Sequence, residues 1–322
     1  MKVLITGGAG FIGTNYIYYL LGNGQDEIIN LDLLSYAGNL SNLARVKNNS
    51  RYRFIKGDIC DRGLVERIVR EGVEAIINFA AESHVDRSIE DPNIFIRTNV
   101  QGTQVLLDLA AQYRVQKFVQ ISTDEVYGSL GGEGYFTEES PLSPNSPYSA
   151  SKASADLLVR AYHQTYGLCT NVTRCSNNYG PYQFPEKLIP LFIINALCDQ
   201  AMPVYGDGQN IRDWIHVSDH CRAIDLVLRK GESGRVYNIG GGMEKTNLEI
   251  TREILRELNK PWSLVKFVAD RPGHDRRYAI DYTRIKQELG WQPGVDFKKG
   301  LKETINWYQC NKAWWKQLNP KD

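Results

Sequence analysis

Long apolar runs are missing from this sequence: none approaches the roughly 18 residues that a membrane span needs. An excess of charge is missing too. Lys plus Arg number 38 and Asp plus Glu 37, a net charge of +1, which argues against polyanion binding as the main role of the protein. Room remains for a local cluster of Arg and Lys that holds one phosphate group. No CxxC pair occurs. Cys60, Cys169, Cys175, Cys198, Cys221 and Cys310 are scattered, and they read as reduced thiols in a cytosolic protein. There is no fixed-period repeat and no low-complexity tract. Met1-Lys2-Val3-Leu4-Ile5-Thr6-Gly7 runs into a glycine turn with no small-residue cleavage site, so it reads as a strand and not as a signal peptide.

What is present is a chain of 322 residues, 42% apolar and 23% charged. Such a chain is packed and globular, and too long for one small domain. One large α/β unit with an appended lobe, or two domains, fits best. Strand-like runs occur at Val3–Thr6, Ile28–Leu31, Tyr52–Lys56, Ala75–Phe79, Lys117–Ile121 and Asn171–Arg174, with a seventh at Arg235–Ile239. They are short and apolar on both faces, as strands of a parallel sheet covered by helices on both sides would be. Alternation of such runs with helical stretches predicts a doubly wound, Rossmann-like α/β fold of about seven strands. Composition shifts after Asn178 toward Pro and aromatic residues, and again from Pro261 to Pro293. Residues 1–178, resumed around 212–240, are therefore expected to form the sheet domain, and 179–211 with 241–322 a smaller lobe that closes over the site.

Gly8-Ala9-Gly10-Phe11-Ile12-Gly13 matches GxGxxG, and Gly7-x-x-Gly10-x-x-Gly13 offers an alternative spacing. Between a strand and a helix, such glycines let the backbone approach a pyrophosphate that the helix N-terminus then faces. Asp32 follows Gly13 by 19 residues, where a carboxylate accepts hydrogen bonds from a ribose diol. No Arg or Lys lies between 33 and 44 to offset a 2′-phosphate, so the pattern indicates NAD and not NADP. Asp58-Ile59 follows the third strand, where it could edge an adenine; a plain turn is the other reading of Asp58.

Tyr148-x-x-x-Lys152 puts a phenol and an ammonium one helical turn apart. A nearby cation is expected to lower the phenol pKa and make it a base. The same spacing recurs at Tyr52/Lys56, Tyr113/Lys117, Tyr282/Lys286 and Tyr308/Lys312; only Tyr148 starts a helix, behind Pro147, shortly after a strand ending in Ser122-Thr123. Thr123-Asp124-Glu125 follows the fifth strand. Two close carboxylates can split their pKa values into an acid and a base; a polar turn is the alternative. His216 and His220 are four apart but lack a third ligand, so no metal is expected. His84 lies after the fourth strand, to touch substrate or only to pack.

With these residues in place, the chain resembles the extended short-chain dehydrogenase/reductase family (NAD-dependent epimerases and dehydratases), and within it the dTDP-glucose 4,6-dehydratases. The matching stretches are Gly7–Gly13, Ser35–Leu40, Ala80–Ser88, Thr123–Gly128, Tyr148–Lys152, Cys175–Pro190 and Arg271–Asp275. The Asp-Glu pair is the specific one, because related epimerases lack it. The resemblance implies a redox-neutral loss of water from dTDP-glucose, as in deoxysugar (for example rhamnose) biosynthesis. Tyr148 with Lys152 would serve oxidation at C4, Thr123 would hold the 4-oxygen, Glu125 would take the C5 proton and Asp124 would protonate the leaving 6-hydroxyl. It further implies NAD contacts at Phe11, Ile12, Asp32, Ser35, Asp58 and Ile59, and at Ala80, Thr98, Tyr148, Lys152 and Asn178. Ser83, Asn177, Glu186 and Lys187 would touch the sugar nucleotide, as would Arg212, Asn247, Arg271, His274 and Tyr278. Pro203 and Tyr205 would flank its base. Leu33-Leu34 departs from the family pattern, where a polar residue often precedes Tyr36.

An epimerase, or a dehydratase acting on another nucleotide, is the nearest rival; a non-catalytic NAD-sensing module is the rival from another class. The helical stretches Thr98–Gln112 and Ala150–Tyr166 are apolar around most of their circumference. Leu106, Ala110, Leu157 and Ala161 are expected to face a second copy in a four-helix contact of a homodimer.

Overall fold

In the computed structural model, residues 1–318 are described. Among the described residues, twelve strands occur in chain order: β1 Lys2–Thr6, β2 Glu27–Asp32, β3 Tyr52–Lys56, β4 Ala75–Asn78, β5 Lys117–Thr123, β6 Thr170–Cys175, β7 Asn177–Tyr179, β8 Met202–Tyr205, β9 Ile211–His216, β10 Val236–Ile239, β11 Glu244–Thr246 and β12 Val265–Val268. Seven of them form one parallel sheet in the order β3-β2-β1-β4-β5-β6-β10. These are the seven runs read from the sequence.

Alternation explains why those runs are apolar throughout. In β1, Val3 and Ile5 point to a core shared with helices Phe11–Asn23 and Val217–Lys230, while Leu4 points to the opposite core beneath helices Arg62–Val69, Thr103–Gln112 and Pro147–Tyr166. Every β1 side chain from Val3 to Ile5 is fully buried. The strand order reverses between β1 and β4, so the crevice beyond their carboxyl ends is where a ligand binds in such a sheet.

The smaller lobe has its own core. It is built on the β7-β9-β11 sheet, the β8-β12 pair and helices Leu188–Leu197, Asn247–Glu257 and Phe297–Cys310. The expected return near residue 212 needs correction: β9 pairs with β7 and β11, and the chain rejoins the large sheet only at helix Val217–Lys230. Ile285 and Trp291, within the stretch assigned to the lobe, also pack into the large core.

The expectation for the helix faces is also corrected. Leu106 and Ala110 are fully buried within the chain, because helix Thr103–Gln112 is sandwiched between Arg62–Val69 and Pro147–Tyr166. Leu157 and Ala161 are exposed.

Candidate active site

The glycine turn is shaped by steric need. Gly7 has φ +70°, and a Cβ on Gly13 would stand 2.5 Å from the Gly7 carbonyl oxygen and 2.7 Å from Gly8 Cα. Gly10 caps helix Phe11–Asn23 without a side chain, so the first turn presents bare N–H groups. At the end of β2, Asp32 accepts from the Ala9 amide at 2.9 Å and the Leu34 amide at 2.7 Å, which joins the glycine turn to the loop after β2. Burial raises its pKa, and those two amides oppose the rise.

This turn forms one end of a cavity of about 320 Å³. Gly7, Gly10, Phe11, Ile12, Gly13 and Asp32 line that end, with Ser35, Asp58, Ile59, Ala80 and Thr98 further along it. Thr98 stands in a π-helical stretch, Ile96–Gly102, of the kind often found at functional sites. Arg97 pairs with Asp58 at 2.5 Å. Tyr148, Lys152, Thr123, Asp124 and Asn178 close the far end.

A second cavity of about 380 Å³ lies between the sheet and the lobe. Pro203, Tyr205, Arg212 and Asn247 line it, with Arg271, His274 and Tyr278. Ser83, Glu125, Asn177, Glu186 and Lys187 belong to both cavities, so Glu125 stands where the two meet. The position of each expected site residue on a wall of one cavity or both is thus a property of the fold.

Tyr148 lies in the first turn of helix Pro147–Tyr166, whose start is set by a Ser146/Ser149 capping box with Pro147 behind it. Lys152 follows one turn later and donates from Nζ to the Ile121 carbonyl at 2.6 Å. The expected lowering of the phenol by that ammonium is not what the geometry produces. Burial pushes Tyr148 well above its usual value, the Glu125 carboxylate adds to this, and a Thr123 hydrogen bond opposes it. Burial lowers Lys152 instead.

Asp124 and Glu125 form a short 3₁₀ turn directly after β5, where the Thr123 hydroxyl accepts from the Glu125 amide at 3.3 Å. Both carboxyls are pushed up by burial. Asp124 is pushed further, because the negative charges of Glu125 and Asp213 face it. Glu125 is held down by Arg212, Lys187 and Arg271. Both acids are thereby shifted toward the protonated form, Asp124 more strongly than Glu125, which separates the pair into a stronger and a weaker acid. Asp124 Oδ2 has no hydrogen-bond partner among the described residues, which leaves that oxygen available to a ligand.

Positive charge gathers around the second cavity. Arg212 lies 4.2 Å over the Tyr278 ring, and Arg271 pairs with Asp86 at 2.8 Å, tying the lobe to helix Val85–Glu90. His274 pairs with Asp270 at 2.6 Å and packs edge-on to Tyr205. His84 caps helix Val85–Glu90 through Nδ1 and turns Nε2 toward Glu186 at 3.6 Å. His216 and His220 diverge: one bonds Ser218, while His220 Nδ1 reaches Asn178 Oδ1 at 2.9 Å.

Two site groups escaped the sequence reading. Asp213 is buried and accepts from the Gly241 and Met243 amides at 2.9 and 2.7 Å, and burial raises it to about 6. Asp86 holds Arg271. An Asp inside the strand-like run Ile211-Arg212-Asp213-Trp214-Ile215 was the available signal for the first; nothing local marks the second.

A parallel sheet of this order with a glycine turn after β1 and a Tyr/Lys pair on the wall of the same cavity defines a dinucleotide-dependent class of enzyme. The profile described as GDP-mannose 4,6 dehydratase matches residues 4–304, so the chain belongs to that family. A dTDP-glucose 4,6-dehydratase of Streptomyces niveus is 54% identical across 100% of this chain and 97% of its own. Among solved structures, the dTDP-glucose 4,6-dehydratase DesIV from Streptomyces venezuelae, with NAD and TYD bound, is similar at TM-score 0.97 and 55% identity, covering 99% of this chain and 100% of that one. UDP-glucose 4-epimerase from Thermotoga maritima shares the fold at TM-score 0.91 but only 32% identity, over 97% of this chain and 100% of its own.

Proposed function

We propose that the chain catalyses the NAD-dependent, redox-neutral elimination of water from dTDP-glucose, giving dTDP-4-keto-6-deoxyglucose, the reaction of a dTDP-glucose 4,6-dehydratase. The carrying observation is the Asp124–Glu125 pair on the wall of the first cavity, with Glu125 where the second cavity joins it, beside Tyr148, Lys152 and Thr123. An epimerase needs only the redox half of this set and has no use for a split acid pair.

The first cavity suits NAD. Its glycine turn excludes a Cβ, its helix start offers free N–H groups, and Asp32 would meet a ribose diol while repelling a 2′-phosphate. When bound, NAD supplies reversible hydride storage and a positive nicotinamide ring. Its contacts would be Phe11, Ile12, Ser35, Asp58, Ile59, Ala80, Thr98 and Asn178, with Lys152 holding the nicotinamide end.

The chain's own residues handle the protons. Tyr148, ionised to the phenolate, accepts the 4-hydroxyl proton, and positive charge beside it favours that ionisation against the burial that holds its pKa up. Thr123 bonds the 4-oxygen. A 4-ketone acidifies C5, and ionised Glu125 removes that proton. Asp124, kept protonated, gives its proton to the departing 6-hydroxyl. Arg212, Arg271 and Lys187 would neutralise the diphosphate. Pro203 and Tyr205 would flank the base, and Asn247, His274 and Tyr278 would line its path. Ser83, Asn177 and Glu186 would bond the hexose.

We also read the enzyme as a cytoplasmic homodimer. The six cysteines are unpaired, and exposed Leu157 and Ala161 offer an apolar strip for a second copy. Incubation of pure protein with dTDP-glucose and no added NAD tests the central reading. A 4-keto sugar chromophore in alkali is expected; appearance of the C4 epimer alone would overturn it.

A further inference from the structure

Behind the acid pair lies a buried ionic cluster that the reaction as written does not use. Arg174 on β6 is 5% exposed, and its Nε pairs with Asp156 Oδ2 at 2.9 Å. Its Nη1 donates to the Tyr127 hydroxyl at 2.9 Å, and its guanidinium lies 4.8 Å over the Tyr127 ring. The Tyr127 hydroxyl in turn donates to Asn238 Oδ1 on β10 at 2.7 Å. The strand register places Arg174 between Ser122 of β5 and Asn238 of β10, so the cluster spans three adjacent strands.

The sequence positions of these groups give the cluster its meaning. Tyr127 ends the same 3₁₀ turn that carries Asp124 and Glu125. Asp156 lies four residues after Lys152 and eight after Tyr148, on the buried face of one helix. Arg174 immediately precedes Cys175, which lines the first cavity and pairs with Thr123 across the sheet. A single guanidinium therefore bonds the acid/base turn with one arm and the redox helix with another. For stability alone, a buried ion pair is a weak device, since its desolvation offsets most of its attraction. A planar fork that bonds two elements in fixed directions is a good ruler.

We infer that Tyr127, Arg174 and Asp156 form a positioning brace that sets the Asp124–Glu125 turn against the Tyr148/Lys152 helix, so that oxidation and elimination act on one bound sugar. The inference rests on the dehydratase reading. Tyr127→Phe removes one oxygen and keeps the ring, which stacks on Phe136 at 5.1 Å. Arg174→Lys keeps the charge opposite Asp156 but cannot bond both partners in plane. Small displacements of a reacting group cost on the order of 10²-fold in rate.

The experiment follows single turnovers of the holoenzyme with dTDP-glucose, recording the NADH band, solvent deuterium at C5 and release of the 4-keto-6-deoxy product. Each variant should slow the elimination steps about 10²-fold with the C4 oxidation phase unchanged. The double variant should be no slower than either single one, because both cut one link. Equal losses in both phases, additive losses or no loss would each overturn the brace. Wild-type enzyme that oxidises C4 yet makes no 6-deoxy product overturns the dehydratase reading instead. Wild-type dehydration with unaltered variants overturns the brace alone.

Discussion

Asp124 and Glu125 are adjacent carboxyls with different neighbours, and that difference divides the work. Glu125 faces the cations Arg212, Lys187 and Arg271 with Asp275 opposing them, whereas Asp124 faces the acids Glu125 and Asp213 with Arg212 opposing them. Glu125→Gln keeps size and hydrogen bonding but removes the base, a role that contributes about 10²–10⁴-fold. It should slow turnover by that order while hydride exchange at C4 persists, read as NADH absorbance with lost deuterium incorporation at C5. Activity needs Glu125 ionised and Asp124 protonated. The rate should thus fall as pH drops through the raised Glu125 value and as pH climbs through the higher Asp124 value. Asp213→Asn takes away one of the charges that raise Asp124. Its proton should then leave at lower pH, moving the alkaline limb of the kcat profile downward with the acid limb unmoved. An alkaline limb in its original place would show that Asp213 does not act on Asp124.

At the scale of the element, the β1 turn and the helix behind it are held to backbone tolerance. In Gly13→Ala, the new Cβ would meet Gly7 O at 2.5 Å and Gly8 Cα at 2.7 Å, and both are backbone atoms that cannot swing away. The turn must open, and the helix start must leave the phosphate position. Purified Gly13→Ala protein should carry no NAD absorbance and should require added cofactor, if it binds any at all; cofactor retention equal to wild type would refute this. Helix Pro147–Tyr166 shows the same dependence of function on local chemistry. Its capping box fixes where the first turn begins, and Tyr148 sits in that turn.

At the scale of the whole molecule, the second cavity is made by the packing of the lobe against the large sheet, with Arg271–Asp86 and Lys187–Ser83 as ties across the opening. The dimer reading belongs here too. Leu157 is 56% exposed on a helix whose other face is buried, and Ala161 follows it by one turn. Leu157→Arg should convert a dimer to monomer in sedimentation velocity at micromolar concentration. A wild-type monomer would refute the dimer, and a dimeric Leu157→Arg would place the interface elsewhere.

Much of this protein is legible along the chain, because its signals are local. Strand patterning, the glycine turn, the Asp32 spacing and the Tyr/Lys spacing each depend on residues within about twenty positions of one another. Chemistry at that range survives translation into sequence patterns. What tertiary structure alone decides is electrostatic and steric. The Tyr148 shift runs upward because burial and the Glu125 carboxylate outweigh any help from a neighbouring cation, and no spacing rule encodes burial. Leu106 and Ala110 look like interface residues until two flanking helices cover them. Asp213 and Asp86 gain meaning only from partners 28 to 185 residues away. The Arg174 brace joins residues 18 and 47 positions apart. Burial and charge act through space, so these contacts exist only once distant segments are packed together.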